Sequence, residues 1–120
     1  MRKNREKVSK IEDLTHSLKV RQAMTARVIT VSPRATINRL RTVLRDAGIS
    51  GAPVLSAGRL VGIISLEDLI KCLMNREMNA LVATKMTRQI TVVHPDESLV
   101  HAVRILEKTG LGRLPVVDRE

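Results

Sequence analysis

Ser65 and Asp68 stand three residues apart where an apolar, β-branched run, Leu60-Val61-Gly62-Ile63-Ile64, gives way to helical periodicity. The start of a helix leaves backbone N–H groups without intrahelical partners, and small polar ligands are often held there. Two short polar side chains at such a junction can act in either of two ways. They can close the helix start as a variant capping box, with Ser65 as the N-cap and Asp68 at the third helical position. Or they can offer a hydroxyl and two carboxylate oxygens to a bound molecule. The residues alone leave both open.

Other reactive side chains are sparse. His16, His94 and His101 are scattered, and Cys72 is the lone cysteine, so no zinc site is expected. His94 precedes Pro95 in a turn and is expected at the surface. No glycine-rich loop ends in a Lys-Thr pair, and no nucleophile has an evident base and orienting acid. An enzyme is therefore not expected. One cysteine excludes an internal disulfide and fits a reducing compartment. No apolar run is long enough for a bilayer. Met1-Arg2-Lys3 leads into charged residues rather than a signal sequence, so a cytoplasmic location is expected.

The 120 residues include 43% hydrophobic ones but no Phe, Tyr or Trp, so the core must be built from Val, Ile, Leu, Ala and Met. The net charge of +9 favours anionic partners. Part of it is a basic tail in the first ten residues. Nucleic acid is disfavoured as the partner, because no aromatic ring is available to stack on bases.

The elements that must position Ser65 and Asp68 follow from periodicity. Ile11, Leu14 and Leu18 predict a short helix over about residues 10–19. Val28-Ile29-Thr30-Val31 reads as a strand stopped by Ser32-Pro33. Thr36 caps a helix whose stripe is Ile37, Leu40, Val43, Leu44 and Ala47, with Gly48 at its stop. Gly51 to Leu55 and Leu60 to Ile64 then flank a Ser-Ala-Gly-Arg turn, a hairpin signal. Leu66, Leu69, Ile70 and Leu73 predict the inner face of a second helix reaching about residue 79.

The chain repeats itself after about 62 residues. Val20, Met24, Thr25, Val31, Pro33, Leu44, Gly48, Pro53 and Val54 fall on Val82, Met86, Thr87, Val93, Pro95, Leu106, Gly110, Pro115 and Val116 without a gap. Val28 falls on Ile90, Ile49 on Leu111, and the N-cap Thr36 on Ser98. Met24 and Met86, at matching positions, read as packing residues. The implied organisation is a tail and short helix over 1–19, a first unit over 20–80 and a second over 81–120. Nothing in the second unit corresponds to Leu60 through Asn75, so it reads as incomplete. Its apolar surface needs other cover, a second chain being one source.

Four pieces of the first unit, Val20-Arg21-Gln22-Ala23-Met24-Thr25, Val31-Ser32-Pro33, Gly48-Ile49-Ser50-Gly51-Ala52-Pro53-Val54 and Gly62-Ile63-Ile64-Ser65-Leu66-Glu67-Asp68, resemble the CBS domain. In the second unit Lys85-Met86-Thr87, Val93-His94-Pro95 and Gly110-Leu111-Gly112-Arg113-Leu114-Pro115-Val116-Val117-Asp118 do the same. The whole is similar to a tandem CBS pair, or Bateman module. That resemblance implies an α+β fold of two βαββα units packed sheet to sheet with pseudo-two-fold symmetry, the second incomplete.

It also implies a regulatory role. Family members often hold AMP, ADP, ATP or S-adenosylmethionine in the cleft between units, form homodimers, and serve an attached enzyme, channel or kinase. The Ser65/Asp68 pair matches the family's ribose-binding motif: Asp68 would accept from two ribose hydroxyls, and Ser65 would meet the ribose or first phosphate. Val28, Ile49, Ala52 and Pro53 would form an apolar slot for the purine, with backbone near Ser50 and Ala52 reading its edge. Ile90, Leu111, Leu114 and Pro115 would repeat the slot. Arg113 is the expected phosphate partner, ahead of Arg27, Arg88 and Lys85. A dimerisation or docking module without ligand, or a non-specific nucleic-acid-binding protein, are the alternatives.

Overall fold

Residues 17–119 are described by the structure, a computed structural model. In chain order they form α1 (Val20–Ala23), α2 (Ile37–Ala47), β1 (Gly51–Ser56), β2 (Arg59–Ser65), α3 (Leu66–Met74), α4 (Val82–Lys85) and α5 (Leu99–Thr109). The class is α+β. Most of the helix expected over 10–19, with Ile11, Leu14, His16 and the basic tail, lies outside the described residues.

Local signals account for α2 and the hairpin. Thr36 Oγ1 accepts from Arg39 N–H at 3.2 Å, satisfying one of the orphan donors of the first turn. Gly48 ends the helix at φ 64° and returns its N–H to Arg45 and Leu44 carbonyls, a left-handed conformation that glycine adopts without penalty. Ile37, Leu40 and Leu44 are buried. β1 and β2 pair antiparallel. Ala57 and Gly58 both take positive φ, 51° and 77°, the arrangement of the tight hairpin turn that matches strand twist. A bulge follows Val54, so Leu55 pairs with Leu60 rather than Val61.

Two expected elements are shorter than their apolar patterns. Val28 to Val31 forms no strand; Val31 alone makes a parallel bridge to Val54, through Val31 N–H to Pro53 O and Leu55 N–H to Val31 O, each 3.0 Å. Ser32-Pro33 then turns the chain into α2, so the pairing stops after one residue. Val28 and Ile29 are exposed. α3 ends at Met74, not near residue 79. Arg76 takes φ 57° and Glu77 N–H donates to Cys72 O at 2.8 Å, closing the helix end.

The described chain packs as two compact units. One is Arg27–Ile90; the other joins the residues before Arg27 to those from Thr91 onward. The leading segment of each repeat therefore packs in the unit of the other repeat. In the first, Val82 and Ala83 N–H donate to Ala35 and Pro33 O at 2.8 and 3.0 Å, and Ile37 N–H donates to Ala80 O at 2.9 Å. In the second, Val20 and Arg21 N–H donate to Glu97 and Pro95 O at 2.9 and 3.1 Å, and Leu99 N–H donates to Leu18 O at 2.9 Å. Every one of these residues maps onto its counterpart under the same sequence shift, so the repeat extends to individual hydrogen bonds.

Each core follows this exchange. Val82 is completely buried among Val31, Ile37, Leu40, Leu44, Ala52, Val54, Ile64, Leu69 and Cys72, with Met86 packed alongside. Val20 is buried with Val93 and Ala102, flanked by Met24, Ile105, Leu114 and Val116. Both methionines thus pack, as the repeat implied. Gly62 faces Met86 so closely that a Cβ would lie 2.4 Å from its sulfur.

Candidate functional site

The hairpin brings the junction together. Gly51 pairs with Ser65 across β1 and β2, and Leu66 N–H, the first donor of α3, is taken by Ser50 O at 2.8 Å. Ser50 therefore sits beside the start of α3, one residue from Ser65 in register.

At that start the capping arrangement is complete. Ser65 N–H and Oγ–H both donate to Asp68 Oδ2 at 2.9 Å, and Asp68 N–H donates to Ser65 Oγ at 3.2 Å. Both residues are half-buried. One carboxylate oxygen is thus committed to the helix start. Oδ1 accepts no hydrogen bond among the described residues, so the carboxylate keeps one face for a further donor. The two readings of Ser65 and Asp68 are not exclusive: the cap orients the acid, and the second oxygen remains available.

The residues expected to form the apolar slot differ in placement. Ala52 is core, 2% exposed, so its methyl is enclosed. Ile49 is half-buried against the same core, Pro53 is half-buried, and Val28 is 52% exposed. Ser50 is exposed. In the other unit, the stretch after α5 carries Leu111 exposed and Leu114 and Pro115 half-buried; Ile90 is half-buried at the end of Arg27–Ile90. Arg113 lies on that stretch and is exposed.

The basic candidates divide. Lys85 pairs with Glu77, whose carboxylate holds its ammonium above the ordinary lysine range. Arg88 donates to Ala83 O at 3.3 Å. Cys72 lies buried on the inner side of α3, and burial pushes its thiol up, away from the reactive thiolate.

His94 is a correction to the surface position expected of it. It is half-buried, and its Nδ1 lies 2.6 Å from Val117 O. A carbonyl can only accept, so Nδ1 carries the proton and donates. Beside it Arg119 Nε donates to both oxygens of Asp96 at 2.9 and 3.0 Å, which holds that carboxyl below the usual range. Ser98 is a second departure. It stands at the N-cap of α5 but makes no capping bond, and its hydroxyl is buried without a partner among the described residues.

Comparison with known proteins places the chain. The model of the CBS domain matches it twice, over residues 20–75 and 80–120. The chain belongs to the CBS domain family.

Relatives of this CBS pair include an uncharacterised protein of Methanocaldococcus jannaschii, 35% identical over 106 residues, and the inosine-5′-monophosphate dehydrogenase of Korarchaeum cryptofilum, 34% identical over 91 residues. They cover 87% and 76% of this chain, which spans only 38% and 18% of their lengths. Among solved structures, the CBS domain pair of protein MJ0100 with 5′-methylthioadenosine and S-adenosyl-L-methionine is 27% identical with a TM-score of 0.75, covering 84% of this chain and 81% of its own. CBSX2 of Arabidopsis thaliana in complex with AMP is 28% identical with a TM-score of 0.75, covering 85% and 83%. The family match begins its repeats at residues 20 and 80, whereas the compact units divide at 27 and 91; the difference is the pair of exchanged leading segments.

Proposed function

We propose that this CBS pair is a regulatory module that binds an adenosine-bearing ligand at the Ser65–Asp68 junction: AMP, ADP, ATP or S-adenosylmethionine. One observation carries the reading. The Ser65 cap holds Asp68 by one oxygen and leaves Oδ1 for ribose hydroxyls, at a strand-to-helix junction lined by Ser50, Ile49 and Pro53. Solved relatives described with AMP, or with methylthioadenosine and S-adenosylmethionine, support the ligand class. Val28, Ile49 and Pro53 supply apolar surface for the purine, and Ala52 fixes the backbone from within the core. A ligand acts on the machine it serves only through its difference in affinity for two states of that machine.

The test is calorimetric titration of the chain with all four compounds, repeated on Asp68→Asn. Asparagine keeps one oxygen for the Ser65 donors but presents an amide where Oδ1 stood. We expect binding of at least one compound, weakened about tenfold or more in the variant, the size of one charged hydrogen bond. Silence of all four up to millimolar concentration removes the ligand class. Unchanged affinity in Asp68→Asn removes Asp68 from the site.

We take the module to be a cytoplasmic homodimer. Of the residues expected on the inner face of α3 only Leu69 is buried; Leu66, Ile70 and Leu73, with Met74, are exposed along one side, at spacing i, i+4, i+7 and i+8, an apolar strip suited to cover by a second copy.

A further inference from the structure

We propose that the unit joining the residues before Arg27 to those from Thr91 takes up an extended apolar segment of another protein as an added β-strand, between Thr25 and the main chain of Leu114–Val116. The inference stands apart from the nucleotide reading, whose Ser65 and Asp68 belong to the other unit.

The first repeat holds such a strand as part of its own chain. There β2 is bonded along both edges. One edge pairs with β1; on the other, Ile63 N–H donates to Thr87 O at 3.0 Å and Thr87 N–H to Ile63 O at 2.8 Å. The second repeat keeps both flanks. Val93 N–H donates to Pro115 O at 3.1 Å and Val117 N–H to Val93 O at 2.9 Å, the same parallel bridge that Val31 makes with Pro53 and Leu55. Met24 leaves α1 at φ −73° and ψ 156°, and Met86 leaves α4 at φ −70° and ψ 156°. Thr25 therefore sets out as Thr87 does.

Main-chain bonds alternate from side to side along a strand. Val93 uses Pro115 O and Val117 N–H, so the N–H and C=O of Leu114 and Val116 face the opposite side. Their counterparts Ala52 and Val54 pair with Ile64 and Gly62 of β2. The main-chain groups of Leu114, Val116 and Thr25 take part in no hydrogen bond among the described residues, which leaves two facing edges open to a strand. The side chains agree. Ile37, Leu44 and Val54 are 0%, 3% and 0% exposed, in a core that Ile64, Leu69 and Cys72 complete. Their counterparts Leu99, Leu106 and Val116 are only half-buried.

The flanks select the occupant. They stand two strand spacings apart, about 10 Å, which admits one strand. A sheet edge of a second copy brings its own neighbouring strand and does not fit, and β2 of a second copy is already bonded on both sides. A lone extended segment of a separate polypeptide fits, held by main-chain bonds and chosen by its side chains. One residue pairs with Thr25. The residue before it must be glycine, because it faces Met24 as Gly62 faces Met86, where a Cβ would lie 2.4 Å from the sulfur. Apolar β-branched residues on either side suit the half-buried floor.

The experiment titrates the full chain with a fluorescein-labelled peptide of the sequence Arg59–Asn75 carrying Cys72→Ser, and with the same peptide carrying Gly62→Val as well. Anisotropy reads binding, and NMR reads amide exchange. The first peptide should bind about tenfold or more tightly than the second. On binding, the amides of Thr25, Leu114 and Val116 should exchange about tenfold or more slowly, while those of Ala52 and Val54 keep their rates. Absence of binding up to about 1 mM, or equal binding of the two peptides, overturns the proposal. So does a change confined to Ala52 and Val54, which would mean that the peptide displaces β2 in the other unit. Protection of Thr25, Leu114 and Val116 that grows with the concentration of the chain alone would assign the position to a second copy and overturn it equally.

Discussion

Val82 tests the exchange of leading segments. It belongs to the second repeat in sequence but is completely buried in the core of Arg27–Ile90. Val82→Ala removes two methyl groups, worth about 0.8 kcal/mol each in transfer, and leaves a cavity that neighbours fill only in part. The expected loss is about 2–3 kcal/mol. At an ordinary slope for a small protein, that lowers the urea midpoint by about 1–2 M. Leu81→Ala is the control: it deletes more atoms, but Leu81 is 44% exposed, and it should cost less than half as much. Hydrogen exchange locates the effect. Amides of Leu40, Leu44 and Ile64 should lose protection in Val82→Ala, while those of Val93 and Ala102 keep theirs. Val20→Ala should do the reverse. The reasoning fails if Val82→Ala costs no more than Leu81→Ala, or if its deprotection falls on residues 91–119.

Other outcomes follow from single contacts. Thr36→Ala should cost about 1 kcal/mol by urea denaturation, whereas Ser98→Ala should be neutral or stabilising, because only Thr36 makes a capping bond and the Ser98 hydroxyl has no partner. Gly62→Ala should destabilise by about 1–3 kcal/mol, since the new methyl meets Met86, and Gly62→Ala/Met86→Ala should recover part of the loss if that clash is the cause. Asp96 should titrate below its ordinary value of 3.8. A carboxyl depressed in the folded state adds stability above the unfolded value and loses it as pH falls through the folded one. Arg119→Ala should bring the Asp96 titration seen by NMR back up. Leu73→Glu should convert the proposed dimer to monomer in sedimentation velocity, with helicity unchanged.

Much of this fold was legible in the residues. The internal repeat, the Thr36 and Gly48 ends of α2, and the tight turn at Ala57-Gly58 each rest on short-range chemistry that a sequence displays directly. The family resemblance carried by Gly48–Val54 and Gly62–Asp68 is matched by the CBS domain hits. What was not legible is long-range. Nothing in Val82-Ala83-Thr84-Lys85 says which repeat it packs on, because four residues bury one valine equally well on either. The β-branched run at Val28–Val31 has strand propensity, but a ladder needs a neighbour along its length, and β1 offers one residue of contact. His94 lacked any sequence sign of its acceptor, a carbonyl 23 residues onward. At the candidate site the same spacing encoded both cap and acceptor, and only the geometry at Asp68 separates the two oxygens.

Because each leading segment completes the opposite unit, neither repeat holds a finished core of its own. Severing the polypeptide near Asn75 would yield two fragments, each lacking the valine that seals it and each carrying the one its counterpart needs. Separately expressed, such fragments should be poorly ordered; mixed, they should reconstitute each other. A protein wired in this way ties the assembly of each half to the presence of the other.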